Sequence, residues 1–187
     1  MILIRPQRPS DAPVVEDLLE RAFGPDRLKK TAYRLRDNVA PERNLSFVAA
    51  ENNELRGSLR FWRVWIRPSN GSAPIAALLL GPLAVEPALR GKGIGLELMR
   101  HGLDRARALG HRIVILVGDE PYYAKVGFSR QVAEGLSLPG PVDPARLLGL
   151  ELEPGALEGV SGMLEKWSEG PYRQSADSQA KEQGSSG

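Results

Sequence analysis

The strongest restriction on the fold of this chain is a run of glycines at the start of its longest helical pattern. Gly91, Gly93 and Gly95 follow Arg90 and alternate with Lys92 and Ile94. From Gly93 to Leu109 the residues Ile94, Leu98, Met99, Gly102, Leu103, Ala106 and Leu109 keep one face, while Glu97, Arg100, Asp104, Arg105 and Arg107 hold the other. N–H groups at a helix N-terminus point outward, the helix dipole favours negative charge, and glycine lets an anion approach the backbone. With Arg90 and Lys92 adding charge, Arg90 to Gly95 reads as an anion site whose natural guest is a diphosphate. The competing reading is a tight turn that only lets the helix pack closely. A Walker loop needs Gly-Lys-Ser/Thr, but Gly91-Lys92 is followed by Gly93. A dinucleotide fingerprint needs a glycine three residues after the second, where Leu96 or Leu98 stands, and a loop tight against the strand, where Glu86 to Arg90 intervene.

The segments around the loop predict a βαβ unit. Ile75 to Val85 is apolar almost throughout and reads as a central strand covered on both faces, and Ile113 to Val117 reads as a second buried strand after the helix stop at Gly110. A right-handed crossover makes the two parallel neighbours. Gly81-Pro82 interrupts the first strand; proline donates nothing to a ladder, so a bulge or local opening is expected there. That opening would leave the backbone of Leu83 and Val85 unpaired by protein.

Upstream, Ile2 to Ile4 reads as a strand. Ser10 is placed to cap a helix with the stripe Val14, Val15, Leu18, Leu19, Ala22 and Phe23, stopped by Gly24-Pro25, and a more polar helix is expected over Asp26 to Asp37. Leu45 to Ala50 and Leu55 to Ile66 flank Asn52-Asn53 as an antiparallel hairpin. Downstream, a helical turn at Tyr122 to Lys125 precedes late strands from Phe128 and over Arg146 to Leu152, joined by a Pro/Gly-rich loop at Leu138 to Pro144. One domain over residues 1–168 is expected, with 169–187 a polar, disordered tail or tag remnant.

Composition narrows the function classes. Of 187 residues, 25 are Lys or Arg and 23 are Asp or Glu, a net charge of +2 that disfavours whole-surface nucleic-acid binding. The absence of cysteine removes thiolate nucleophiles, disulfides and Cys-ligated metals. No apolar stretch reaches the length of a membrane span and no targeting signal is read, so a cytoplasmic protein is expected.

Arg90-Gly91-Lys92-Gly93-Ile94-Gly95 resembles the Arg/Gln-x-x-Gly-x-Gly/Ala acetyl-CoA pyrophosphate loop of the GNAT superfamily of N-acetyltransferases. Leu83-Ala84-Val85 is similar to the family strand whose backbone binds the pantetheine arm, and Tyr123-Ala124-Lys125-Val126-Gly127-Phe128 resembles its Tyr-x-Lys-x-Gly-Phe segment. The likeness runs from Ile4-Arg5-Pro6 to about Gly162. Gly118-Asp119, Pro121-Tyr122-Tyr123, Leu138-Pro139-Gly140-Pro141 and Pro154-Gly155-Ala156-Leu157 look like a bacterial subgroup of predicted acetyltransferases. The resemblance implies an α/β fold with a mixed central β-sheet, splayed between the fourth and fifth strands, and helices on both faces. It implies acetyl-CoA as acyl-donor co-substrate held by Leu83, Ala84, Val85, Arg90, Gly91, Lys92, Gly93, Ile94 and Gly95, with no metal. The implied reaction is direct transfer, in a ternary complex, to a primary amine of a small-molecule or peptide acceptor, with no nucleic-acid or membrane partner and with a homodimer as a permitted assembly. A non-catalytic acyl-CoA-binding or regulatory module is the competing reading.

Aminolysis of a thioester needs a neutral amine and gains from an acid that protonates the departing thiolate. Tyr123 stands where the family carries its general-acid tyrosine, and packing against the cofactor is its other reading. Asp119, after the buried strand, is the candidate base or amine-binding group, with an N-cap role equally open. Tyr122 reads as core or pocket wall, Lys125 as a solvated group with an approach to the cofactor's phosphates as its other reading, and Glu86 and Glu51 as surface or solvated groups. His101 and His111 fit neither ligand nor base. Phe23, Tyr33, Phe61, Trp62 and Trp65 are available to an acceptor pocket built by the first two helices, their connection and late strands. No carboxylate cluster points to a polyamine or aminoglycoside, and no feature selects a protein N-terminus.

Overall fold

A computed structural model describes residues 1–169; the expected tail at 169–187 lies, but for Glu169, outside the described residues. The strands are β1 (Leu3–Pro6), β2 (Ser46–Glu51), β3 (Glu54–Pro68), β4 (Ile75–Val85), β5 (Ile113–Val117), β6 (Leu136–Ser137), β7 (Leu147–Glu151) and β8 (Gly162–Lys166). The α-helices are α1 (Ala12–Phe23), α2 (Thr31–Arg34), α3 (Ile94–Ala108) and α4 (Glu120–Tyr123). The strands form one eight-stranded sheet whose main path runs β1-β2-β3-β4-β5-β7, with β8 on β3 and β6 on β8. All pairs on the main path are antiparallel except β4 and β5, which are parallel as the βαβ reading requires.

The period of two in the strands sorts the core into two faces. Leu59, Phe61, Leu78, Leu80, Val114 and Leu116 point to one side, where Ile94, Leu98, Met99, Leu103 and Ala106 of α3 cover them. Gly102 allows this approach, because a Cβ there would stand 2.6 Å from the Phe61 ring. Trp62, Val64, Ile66, Leu79, Ile113 and Ile115 point to the other side, under Leu35 and the late segment. Val15, Leu18 and Leu19 of α1 close the rest of that side against Val48 and Ala84. Asn52 and Asn53 sit at φ 50° and 64°, the left-handed turn expected between β2 and β3.

Three local expectations are corrected, and one strand is added. Ser10 does not cap α1: a 3-10 turn covers Pro9–Asp11, and Asp11, held by Arg5 at 2.7 and 3.0 Å, accepts the Arg8 N–H at 2.7 Å before the helix starts. The helix expected over Asp26 to Asp37 is a 3-10 stretch, Pro25–Lys29, followed by the short α2. This segment buries Arg27 and exposes Leu28, the reverse of a helix packed by its apolar stripe. After Phe128 only one bridge forms, Ser129 with Gly149, because Val132 and Ala133 then ride over the side-chain-free face of Gly149. β8 was not expected: its alternation is short, and its pairing partner lies far away on β3. Trp65 of β3 stacks on Trp167 just beyond it, ring centroids 4.2 Å apart. Among the described residues no helix is long and apolar enough to cross a membrane.

Candidate active site

The expected opening in the sheet is present. β4 pairs with β5 only through Leu78 with Val114 and Leu79 with Ile115, whereas it stays on β3 out to Val85. Register on β3 slips between Leu59 and Phe61, opposite Gly81 and Pro82. Beyond the slip, the Glu86 N–H donates to Arg56 O at 2.8 Å. Hydrogen-bonded and non-hydrogen-bonded pairs alternate along an antiparallel ladder, so Val85 and Leu83 turn their N–H and C=O groups away from β3. These are the two residues expected to offer free backbone, and they face the gap left by β5.

At the mouth of that gap lies a cavity of about 480 Å³ lined by Leu83 to Val85, Leu89 to Gly91, Gly93 to Leu96, Tyr122, Tyr123 and Lys125, with Ala22 and Phe23 opposite. Gly93 is the N-cap of α3 in the left-handed region, φ 86°, and Gly91 sits at φ 82°. Side chains are strained there, and the space beside both glycines is open. The first ladder bond of α3 runs from Glu97 N to Gly93 O, so the amides of residues 94 to 96 precede it and face outward. Arg90 donates to Ala22 O at 3.3 Å, tying the loop to the end of α1, and Lys92 is exposed. The loop and strand fit a diphosphate followed by an extended, amide-bearing arm: unpaired helix amides and Arg90 for the first, an unpaired strand edge for the second; Lys92, expected at the site, does not line the cavity. Lys125 rests over the Tyr122 ring at 5.7 Å.

Two glycines seat the tyrosine pair. A Cβ on Gly95 would collide with the Tyr122 hydroxyl, and a Cβ on Gly118 with the Tyr123 ring. The two rings meet edge to face at 5.0 Å, and Tyr123 meets Phe128 in the same way at 6.3 Å. Burial, followed by the neighbouring Tyr122, pushes the Tyr123 phenol up to about 12, and burial also raises Tyr122. Tyr123 therefore keeps its proton at neutral pH and has the form of an acid, not of a base.

A second cavity, of about 420 Å³, lies on the other side of the tyrosines. Phe23, Leu83, Tyr122 and Tyr123 line both, so the two spaces share one wall at the end of the wedge. The rest of the second cavity comes from residues 27–36, 80–82, 117–119 and 138–146. Of the aromatics considered for it, Phe23 and Tyr33 line it. Phe61 is core under α3, Trp65 stacks on Trp167, and Trp62 donates Nε1 to Gly81 O at 2.7 Å behind the wall. Asp119 is on the rim, exposed, and pairs with Arg146 at 3.3 Å; its backbone occupies the N-cap position of α4, but its side chain does not cap. Glu86 pairs with Arg21 at 2.8 Å, and His101 and His111 line neither cavity. Sequence reasoning missed Arg27, Lys30, Thr31, Arg36 and Arg146. Arg27 alone carried a signal, as a cation three residues after the helix stop, placed to meet Glu16 at 3.2 Å and Glu20 at 3.6 Å.

The acetyltransferase (GNAT) family matches over residues 12–128. An uncharacterised N-acetyltransferase of Escherichia coli K12, YhbS, is 29% identical over 165 residues, 88% of this chain and 95% of the relative. The crystal structure of E. coli YhbS in complex with CoA superposes with a TM-score of 0.73 at 29% identity and 89% coverage of both chains. A GNAT family acetyltransferase from Brucella melitensis in complex with acetyl-CoA gives 0.65 at 28% identity, covering 90% of this chain and 97% of the other.

Proposed function

The chain belongs to the GNAT family of acetyltransferases, and from that premise we propose that it moves an acetyl group from acetyl-CoA directly to a primary amine, both bound at once. The observation that carries this reading is the wall common to the two cavities, Phe23, Leu83, Tyr122 and Tyr123, which puts a donor space and an acceptor space in contact. A covalent relay would need an activated nucleophile at that wall, and burial holds both of its phenols in the protonated form beside two apolar side chains.

In this reading Arg90 to Gly95 hold the diphosphate of the donor, and the free amides and carbonyls of Leu83 and Val85 pair with its extended arm. The thioester then lies at the end of the wedge, beside Tyr123. The neutral amine attacks the acetyl carbon; the C–N bond forms as the C–S bond breaks. Tyr123, protonated at neutral pH, gives its proton to the leaving sulfur as the thiolate departs, and the phenolate takes a proton back from water once the products leave. Asp119, exposed at the rim of the acceptor cavity, takes the proton lost by nitrogen out to water. Val117 and Gly118 at the end of β5 form the opposite side of the wedge.

The test is an acceptor screen that follows free CoA release with amines, amino acids and peptides, run beside a melting assay with CoA. Release with at least one acceptor class supports the reading. Binding of CoA with no release from any class would leave a non-catalytic acyl-CoA module in its place.

A further inference from the structure

The acceptor cavity is cationic. Arg27, Lys30, Arg36 and Arg146 line it against two carboxylates, Asp119 and Asp143, both exposed at the rim. Two of the cations are already matched: Arg27 by Glu16 and Glu20 from α1, and Arg146 by Asp119. The Asp143 carboxylate accepts the Ala145 N–H at 3.0 Å. Lys30 rests over the Phe23 ring at 5.5 Å on the exposed side.

Arg36 differs from all of these in being enclosed without a counter-charge. Its Nε, like that of Arg27, is closed off from solvent and has no hydrogen-bond partner, but among the described residues no carboxylate lies within ion-pair distance of it. The guanidinium rests over the Tyr33 ring at 4.6 Å and near Trp62 at 6.0 Å. Its Nη2 would stand 2.9 Å from a Cβ on Gly81, so it is packed on the backbone of β4 just past the last residue paired to β5. Arg36 is not part of the donor cavity, so the phosphates of CoA are not its counter-charge. A desolvated cation without an anion is costly, and the cost is relieved when a ligand brings one.

We propose that Arg36 seats an oxyanion of the acceptor, so that the substrate is a small primary amine carrying a carboxylate or phosphate group. The inference rests on the acetyl-transfer reading and names its substrate class. Carbons between amine and oxyanion would span the distance from the Gly81 end of the cavity to the shared wall at Tyr123. A polyamine, which brings only positive charge, is repelled by this lining.

The experiment compares matched acceptors on the wild-type protein with acetyl-CoA: amino acids against their carboxamides, and aminoalkyl phosphates against the parent amino alcohols. The acid of a pair should be favoured about 10- to 100-fold, carried by KM and not by kcat, as expected for a charge-assisted bond. Whichever of the carboxylate and phosphate sets shows the larger preference identifies the group. Arg36→Met, which keeps a long side chain between Tyr33 and Trp62, should abolish the preference while the melting shift with CoA stays. Uncharged and anionic acceptors used equally well, or the uncharged one better, would overturn the anion site and leave the acetyltransferase intact. If no acceptor is turned over, calorimetry of the CoA-loaded protein decides. Binding of the acids but not the amides upholds the Arg36 site although the enzyme reading falls, and binding without that selectivity overturns the Arg36 site.

Discussion

The two cavities are nearly equal in volume and share a wall, yet they are built in opposite ways. The donor cavity takes most of its lining from one stretch, Leu83 to Leu96, in which strand, loop and helix follow without interruption. The acceptor cavity gathers residues 23–36, 80–83, 117–123 and 138–146, four pieces joined only by the fold. A diphosphate is recognised by backbone groups in a fixed local conformation, which a short run of glycines can encode. An acceptor is recognised by side chains that converge, and convergence is a property of topology. Chemistry common to all donors is therefore written locally, and selectivity among acceptors is written across the chain.

The sharpest way to break this division is at the shared wall. Tyr123→Phe should lower kcat by roughly 10²-fold, toward the lower end of what general acids contribute, because a CoA thiolate leaves readily and water substitutes in part. CoA affinity, read by calorimetry, should change little; full turnover with weakened CoA binding would make Tyr123 a positioning group for the donor. A ligand effect of similar size tests the donor side alone. CoA at about 100 times its Kd should add about 2.7 kcal/mol of stability to the wild-type protein and to Arg36→Met equally, measured by denaturant unfolding. A smaller gain in Arg36→Met would show that the cavities are not separable. Arg90→Ala is expected to raise the KM for acetyl-CoA no more than about fivefold, more at low salt than at high, since its charge is exposed and screened. It should leave the acceptor KM unchanged in steady-state assays. The smallest effect concerns pH: a phenol pushed up to about 12 keeps its proton, so kcat should not fall between about pH 7 and about pH 10. An alkaline limb inside that window, lost in Tyr123→Phe, would mean that the ring is less enclosed during turnover than its burial indicates.

What could be read in the sequence follows the same line. The opening at Gly81-Pro82, the free backbone at Leu83 and Val85, and the glycines at the start of α3 each depend on neighbours within a few residues, and all were expected, though not Gly93 as the cap itself. Tyr123 was legible by its place before Gly127-Phe128, although its ring packing on Gly118 was not. Arg36 was invisible, since a cation on a polar segment normally reads as solvated; only the meeting of that segment with β4 encloses it. The predicted second helix failed for a related reason. Residues 25–34 are shaped by the cavity they wall, with Arg27 inward and Leu28 outward, and not by an amphipathic stripe of their own.

The long strand β3 gives one edge to both β2 and β8, and that sharing bears on the order in which the molecule folds. The hairpin of β3 with β4 closes across residues 69–74, whereas Arg67 and Glu165, paired at 2.6 Å across β3 and β8, stand 98 positions apart. That is about four doublings of loop length, or roughly 2 kcal/mol of additional closure entropy at about 0.6 kcal/mol each. The meander β2-β3-β4 should thus nucleate early and β8 should dock late, with the Trp65–Trp167 stack as the optical marker of the final step in refolding. During synthesis, the donor cavity, whose lining ends at Lys125, is complete in the nascent chain before the residues that finish the acceptor cavity have left the ribosome.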